Sequence, residues 1–282
     1  MFKIKKYIPD IVVAIILIAG IGLLAYPTIG DYINALHSSK TIGSYVEKTK
    51  DLSKEEKENL LREAREYNES LVGKVNRYYL NEEEKKRYAH ILDITKTGIM
   101  AYVEIPKLNI YMPVYHGTDE GVLQIAAGHL PGSSLPVGGE NTHSLISGHR
   151  GLPSAKLFTD IDKLKKGDLF FIHVFDEVLA YKVNQIKIVL PDDVETLEIE
   201  KGKDYVTLIT CTPYGVNSHR LLVRGERTVY KQSESKIEDM IKKNNLKYIM
   251  LTAGVILALI GMTVLVSVFL IKRRKRRKLN EK

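Results

Sequence analysis

The chain has 282 residues, 44% of them hydrophobic and 27% charged, which excludes a disordered chain and allows one or two domains. Its formal net charge is +8, of which residues 1–26 carry +2 and residues 272–282 carry +7, leaving −1 for everything between. The basic balance therefore belongs to the two ends, and nucleic-acid binding loses its only support.

Lys3, Lys5 and Lys6 precede an apolar run over residues 11–26. Sixteen residues are short for a membrane span unless residues 7–10 and 27–29 sit in the interface. A Lys-rich start with a short apolar core also fits a cleaved signal peptide, but Tyr26 and Pro27 after Ala25 make a poor cleavage site, which favours a retained anchor over residues 1–27. Residues 28–97 are rich in Lys and Glu and lack proline. Ser53 followed by Glu56 is a capping-box pattern, and Leu60, Ala64, Tyr67 and Leu71 recur at helical spacing, predicting a helix over 54–72 with a second around 82–92. This segment reads as a helical stalk whose apolar stripe packs against something.

From Gly98 onward, short runs of β-branched and aromatic residues alternate with Gly, Pro, Asn and Asp clusters. Strands are expected over 101–105, 109–114, 144–147, 169–174, 179–189, 205–210 and 220–227, with short helices over 119–127 and 155–164. Seven or eight strands at this spacing make residues 98–232 a mainly β domain, a closed barrel or a sandwich. Residues 233–247 form a polar linker, and residues 248–271 are 24 residues without a charge. A helix of that length is roughly 36 Å long, enough to cross a hydrocarbon core of about 30 Å. The tail 272–282 opens with Lys-Arg-Arg-Lys-Arg-Arg-Lys. Basic residues beside a span stay cytoplasmic, so both termini point inward and the middle of the chain is extracytoplasmic; the tail also suits anionic membrane lipid.

The chain contains a single cysteine, Cys211. Outside the membrane it cannot form an internal disulfide, so the thiol is incidental or chemical. Cys211 ends the predicted strand 205–210, and Thr212, Pro213, Tyr214 and Gly215 open a loop after it. A nucleophile at a strand exit is rigid on one side and accessible on the other. A free thiol, with an ordinary pKa of about 8.5, also needs a nearby cation or base. Two residues qualify. His149 lies in Ser-Gly-His-Arg at 147–150, just past a strand, and Arg220 opens the strand nine positions after Cys211. A hairpin of that length returns Arg220 beside Cys211, where a forked cation suits a developing oxyanion. Of the other histidines, His143 and His219 are the nearest rivals. Period-two alternation turns His219 away from the face of Arg220. His116, His129 and His173 have no spacing related to the cysteine. One Cys with scattered His gives no ligand-pair spacing, so no metal site is expected.

At these motifs the sequence resembles the sortase family. Thr-Leu-Ile-Thr-Cys at 207–211 matches the Thr-Leu-x-Thr-Cys signature, and the run continuing to Gly225 resembles the pilin-polymerising class C group in particular. Asn-Thr-His-Ser-Leu-Ile-Ser-Gly-His-Arg-Gly-Leu-Pro at 141–153 supplies the His motif in the expected order. The resemblance covers about 98–230 and implies an eight-stranded sortase-type β-barrel with short helices, an N-terminal helical segment and two flanking transmembrane helices. It implies a triad of Cys211 as nucleophile and thioacyl carrier, His149 as general acid/base, and Arg220 for the oxyanion. It further implies cleavage of a Leu-Pro-x-Thr-Gly-like sorting signal between Thr and Gly, and transfer to a lysine of a pilin subunit. Thr210, Thr212 and Tyr214 are candidate substrate contacts, and the loop between residues 189 and 205 would flank the sorting-signal groove. No cofactor is implied.

Many class C sortases carry an Asp-Pro-aromatic lid before the barrel, yet no proline occurs here between Pro27 and Pro106. The expectation is a site that is open, or covered loosely by Tyr78 or Tyr79. The main rival reading is a housekeeping-type sortase that joins proteins to cell-wall peptide, with the same triad. A non-catalytic membrane-tethered adhesin or adaptor is the rival from another class; it explains the anchors but not the spacing of Cys, His and Arg. Papain-like proteolysis fits less well, because that fold sets its Cys at a helix N-terminus.

Overall fold

The computed structural model describes residues 8–229 together with residues 250, 253, 254 and 261. The linker at 233–247, almost all of the second apolar run at 248–271 and the basic tail at 272–282 lie outside the described residues. The chain forms two compact units, one made of Met1–Tyr32 and Gln232–Lys282, the other of Ile33–Lys231.

In the first unit, helix α1 (Ile8–Asp51) begins. Val12, Val13, Ile15, Ile16, Ile18, Leu23, Leu24 and Tyr26 on it are exposed. Among the described residues, α1 is the one helix long and apolar enough to cross a membrane. The helix does not stop where the apolar run does; it passes through Pro27, which lacks the N–H for one bond of the ladder, and continues to Asp51.

In the second unit, the end of α1 is joined by α2 (Lys54–Leu71) and α3 (Glu82–His90). Ser53 caps α2 reciprocally with Glu56: its hydroxyl accepts from Glu56 N at 3.2 Å, and its own N–H donates to the Glu56 carboxylate at 2.8 Å. Asn81 and Glu84 cap α3 in the same way. The stripe of α2 buries Leu61, Ala64, Tyr67, Asn68 and Leu71. Asn68 bonds both backbone groups of Leu135. Tyr45 of α1 is fully buried, donates to Met100 O at 3.1 Å and accepts from Phe175 N at 3.0 Å. The helical segment is thus built onto the β domain by packing and paired polar groups, with the apolar stripe of α2 on the buried face.

The eight strands are β1 (Ile99–Ile105), β2 (Ile110–His116), β3 (Ala127–His129), β4 (Thr142–Ser147), β5 (Leu169–Val174), β6 (Glu177–Val189), β7 (Asp204–Thr212) and β8 (His219–Arg227). They close into a barrel in the order β1-β2-β3-β4-β7-β8-β6-β5. Two neighbouring pairs are parallel, β2 with β3 and β4 with β7; the rest are antiparallel. The expected helix over 119–127 is a single turn, α4 (Glu120–Leu123), and its last residue, Ala127, instead begins the short strand β3. The expected helix over 155–164 is only a 3-10 turn at Ile161–Lys163.

Alternation along β4, β7 and β8 divides their side chains between two faces. Ile146, Val206, Leu208, Leu221 and Val223 join the main core, with Phe158, Phe170 and Tyr181. Leu145, Ile209 and Leu222 face the other way and form a second cluster with Leu197, against which Tyr78, Leu130 and Val189 pack.

Candidate active site

Strand β7 lies between β4 and β8, and these three strands assemble the site. Cys211 is the next-to-last residue of β7, which runs two residues further than expected, to Thr212. It is free and half-buried. Two positions before it on the same face is Ile209 of the second cluster, so the thiol stands at the end of an apolar strip.

Arg220, at the start of β8, is the register partner of Cys211. Directly opposed residues of an antiparallel pair share a face, with Cβ atoms about 4.5–5.5 Å apart, so the Arg220 side chain leaves the sheet on the same face as the thiol. Nη1 of Arg220 donates to the carbonyls of Asn217 and His219, each at 3.2 Å, which ties the head to the β7–β8 turn. His219 pairs with Thr212 and falls on the other face.

His149 comes from the other side of β7. Strands β4 and β7 run parallel with Ser147 beside Ile209, so the chain leaves β4 at the same end of the sheet as Cys211. Gly148 is held by both its backbone groups: its N–H donates to Ile209 O at 3.0 Å, and its carbonyl accepts from the Thr210 hydroxyl at 2.7 Å. The next residue, His149, is thereby delivered from a fixed point on β7. Its Nε2 is buried, makes no hydrogen bond among the described residues and lies 3.5 Å from a carboxylate oxygen of Glu120 in α4. Glu120 is held below the usual carboxylate range by its bond with Gln124 and, more weakly, by His149.

The residues proposed as substrate contacts divide. Thr210 and Thr212 alternate away from the face of Cys211, and their hydroxyls are engaged, Thr210 with Gly148 O and Thr212 with Arg150 Nη1 at 3.2 Å. Both therefore brace the site from behind. Tyr214, in the turn after β7, is 62% exposed, and Arg150 lies over its ring at 6.0 Å.

Tyr78 and Tyr79 also part company. Tyr79 is 83% exposed. Tyr78 packs on the cluster of Leu145, Ile209, Leu222 and Leu197, and burial raises its phenol pKa. The residue before it, Arg77, is only 4% exposed. Arg77 Nη2 donates to Leu197 O at 2.6 Å and to the Tyr78 hydroxyl at 2.7 Å, and Nη1 lies 3.5 Å from the Glu198 carboxylate. Residues 197 and 198 belong to the loop between β6 and β7. The one aspartate within 73–97, Asp93, accepts from the N–H groups of Thr97 and Gly98.

His143, in β4, is a structural residue that bonds the same loop. Its Nδ1 faces Glu198 O at 2.8 Å and must carry the proton, so Nε2 accepts from the Thr207 hydroxyl at 2.7 Å. Burial, offset in part by the bond to Glu198 O and reinforced by the charges of Arg224 and Arg77, pushes its pKa down to about 4.

Sequence spacing missed Glu120, Arg77 and Arg150. Each meets a partner brought near by the fold, and although Arg150 stands in the 147–150 motif, nothing local names its partners.

Comparison with known proteins gives a sortase domain over residues 103–228. The structure is similar to the crystal structure of sortase C1 from Streptococcus agalactiae, with a TM-score of 0.67, 48% identity, and coverage of 68% of this chain and 100% of that one. It is also similar to sortase C from Streptococcus pneumoniae, whose structure was described for catalysis and pilin substrate specificity, with a TM-score of 0.62, 47% identity, and coverage of 69% of this chain and 99% of that one. Among curated proteins, sortase A of Streptococcus agalactiae is 28% identical over 153 residues, 53% of this chain and 61% of that protein. The chain spans about three fifths of the length of the curated relatives it matches.

Proposed function

The chain belongs to the sortase family, and on that premise we propose that it is a membrane-anchored cysteine transpeptidase that polymerises pilins. The observation that carries the reading is the pairing of Cys211 with Arg220 across β7 and β8, with the His149 loop bonded to β7 from the opposite side. In the reaction, the Cys211 thiolate attacks the Thr carbonyl of a Leu-Pro-x-Thr-Gly-like sorting signal. A C–S bond forms, Arg220 holds the oxyanion, and the C–N bond to Gly breaks as His149 protonates the leaving amine. The thioester is then attacked by a pilin lysine amine, which gives its proton to His149 as the C–S bond breaks and an isopeptide bond forms.

Similarity to two class C structures at 47–48% identity supports pilin subunits as partners. The apolar strip of Leu145, Ile209 and Leu222 suits the Leu-Pro portion of the signal, and Tyr78 is the segment that must leave it. In this reading Arg77 and Tyr78 take the part of the missing Asp-Pro-aromatic lid, while Tyr79 remains free. The catalytic unit sits outside the membrane, with the N-terminal part of α1 and residues 248–271 as anchors and both ends of the chain inside.

Incubation of the full-length chain in detergent with a pilin subunit bearing the sorting signal tests this. A ladder of covalent pilin multimers is expected. Transfer to a cell-wall peptide amine, with no ladder, would assign the chain to the housekeeping-type reading instead.

A further inference from the structure

Arg150, directly after His149, is the side chain in this region whose bonds are not yet accounted for by catalysis. Its side chain is only 10% exposed. One terminal nitrogen donates to the hydroxyl of Thr212, the residue after Cys211, at 3.2 Å; the other is paired with the Asp162 carboxylate in the 3-10 turn Ile161–Lys163. The neighbouring carboxylate, Asp160, is taken by Lys156 at 2.5 Å and Lys163 at 2.8 Å, which leaves Asp162 to Arg150. The backbone around Arg150 is pinned as well: His149 O accepts from Phe158 N at 3.2 Å, and Gly151 N donates to the Thr159 hydroxyl at 3.1 Å.

A buried guanidinium needs partners, and its planar fork fixes the separation between the two groups it joins. Here those groups are the end of the nucleophile strand and the segment 158–163, which also holds the His149 carbonyl. We infer that Arg150 is a positioning residue that locks the His149 loop to the end of the Cys211 strand, with Asp162 as the anchor that orients it. This rests on the transpeptidase reading. It adds that the spacing of base and nucleophile is set by a bracket outside the triad. Displacing a reacting group by about 1 Å can cost on the order of 100-fold in rate, so a bracket of this kind governs kcat more than substrate affinity.

The experiment uses the full-length chain in detergent, with Arg150→Ala, Arg150→Lys, Asp162→Asn and the Arg150→Ala/Asp162→Asn pair. Two readouts are followed, sorting-signal cleavage and the rate of Cys211 alkylation by a small thiol reagent. Arg150→Ala should lower kcat by roughly 30- to 100-fold with KM within about threefold. Added guanidinium should restore at least tenfold of that loss, and Arg150→Lys, which cannot hold both partners, should recover only part. Asp162→Asn should lower kcat severalfold and have no further effect in the Arg150→Ala background, and alkylation should change severalfold in both single variants. The inference is overturned if Arg150→Ala keeps kcat within twofold, if guanidinium fails to rescue a variant that melts like the wild type, or if the two substitutions multiply independently. Wild-type chain that cleaves no sorting signal, while Arg150→Ala still changes alkylation, would sink the transpeptidase reading and leave the bracket standing. Unchanged alkylation would remove the bracket.

Discussion

Cys211 and Arg220 stand directly opposite each other in the β7–β8 ladder, on the face that also carries Ile209 and Leu222. Nine positions apart in sequence, they are brought together by the turn between the two strands. In the proposed reaction, Arg220 is the cation that holds the oxyanion formed at the carbonyl attacked by the sulfur. Arg220→Ala should lower kcat by roughly 100- to 1,000-fold, as loss of an oxyanion donor does elsewhere. Arg220→Lys, which keeps the charge without the fork, should fall between that variant and the wild type. Steady-state cleavage of a sorting-signal peptide measures both, and equal rates for the alanine variant and the wild type would exclude the oxyanion role.

Gly148 is the residue through which β7 holds the His149 loop. A methyl group there would come 2.7 Å from the ring of fully buried Phe158. Gly148→Ala should therefore cost about 1–3 kcal/mol of stability by overpacking and reduce activity by more than its stability loss explains. Thr210→Val keeps the volume but deletes the bond to Gly148 O, at a net cost of about 1 kcal/mol. Denaturant melts and kcat measured side by side separate the two effects.

Tyr78 packs on the apolar cluster that contains Ile209, and Arg77 bonds both Tyr78 and the Leu197 carbonyl; in the proposed reading this pair covers the strip. Removing the guanidinium frees the Leu197 carbonyl and loosens Tyr78. Arg77→Ala should speed alkylation of Cys211 severalfold and raise peptide cleavage at low substrate concentration. Tyr79→Ala, at an exposed position, should change neither. Slower or unaltered alkylation in the Arg77 variant would rule out a covering role.

His143 sets a pH limit. Its folded pKa of about 4 lies below the ordinary value of 6.5, so the unfolded chain binds the proton more readily. Stability should be full above about pH 6.5 and decline as the pH falls toward 4, by a few kcal/mol in all. Buried His129, pushed down to about 3, adds to the fall in the same direction. Melting temperature followed from pH 7.5 to 4.5 checks the sign; a curve that rises on acidification would contradict it.

Much of this molecule is readable from its residues. The strands around the site announce themselves by alternation and β-branched content, and the Cys211-to-Arg220 spacing foretells their pairing because a hairpin returns on itself. The capping box at Ser53 is equally local. What was hidden depends on contacts far apart in sequence. Strand β3 is three residues long and exists because β2 and β4 flank it, so its sequence carries no pattern of its own. The passage of α1 through Pro27 runs against local propensity. Arg77 looks like one more charge in a Lys- and Glu-rich segment, and only the carbonyl of Leu197, 120 positions on, explains its burial. Thr210 and Thr212 border the nucleophile in sequence, but period two turns them behind it.

The central claim, that Cys211 is the acyl carrier of a transpeptidase, is tested most directly by intact-protein and peptide mass spectrometry. The full-length chain is incubated with a sorting-signal substrate, quenched in acid and digested. The account predicts an added mass equal to the signal cleaved after its Thr, carried on Cys211, absent from Cys211→Ala and released when a lysine-bearing pilin is supplied. An unmodified Cys211 in chain that still crosslinks pilins, or crosslinking that survives Cys211→Ala, would contradict it.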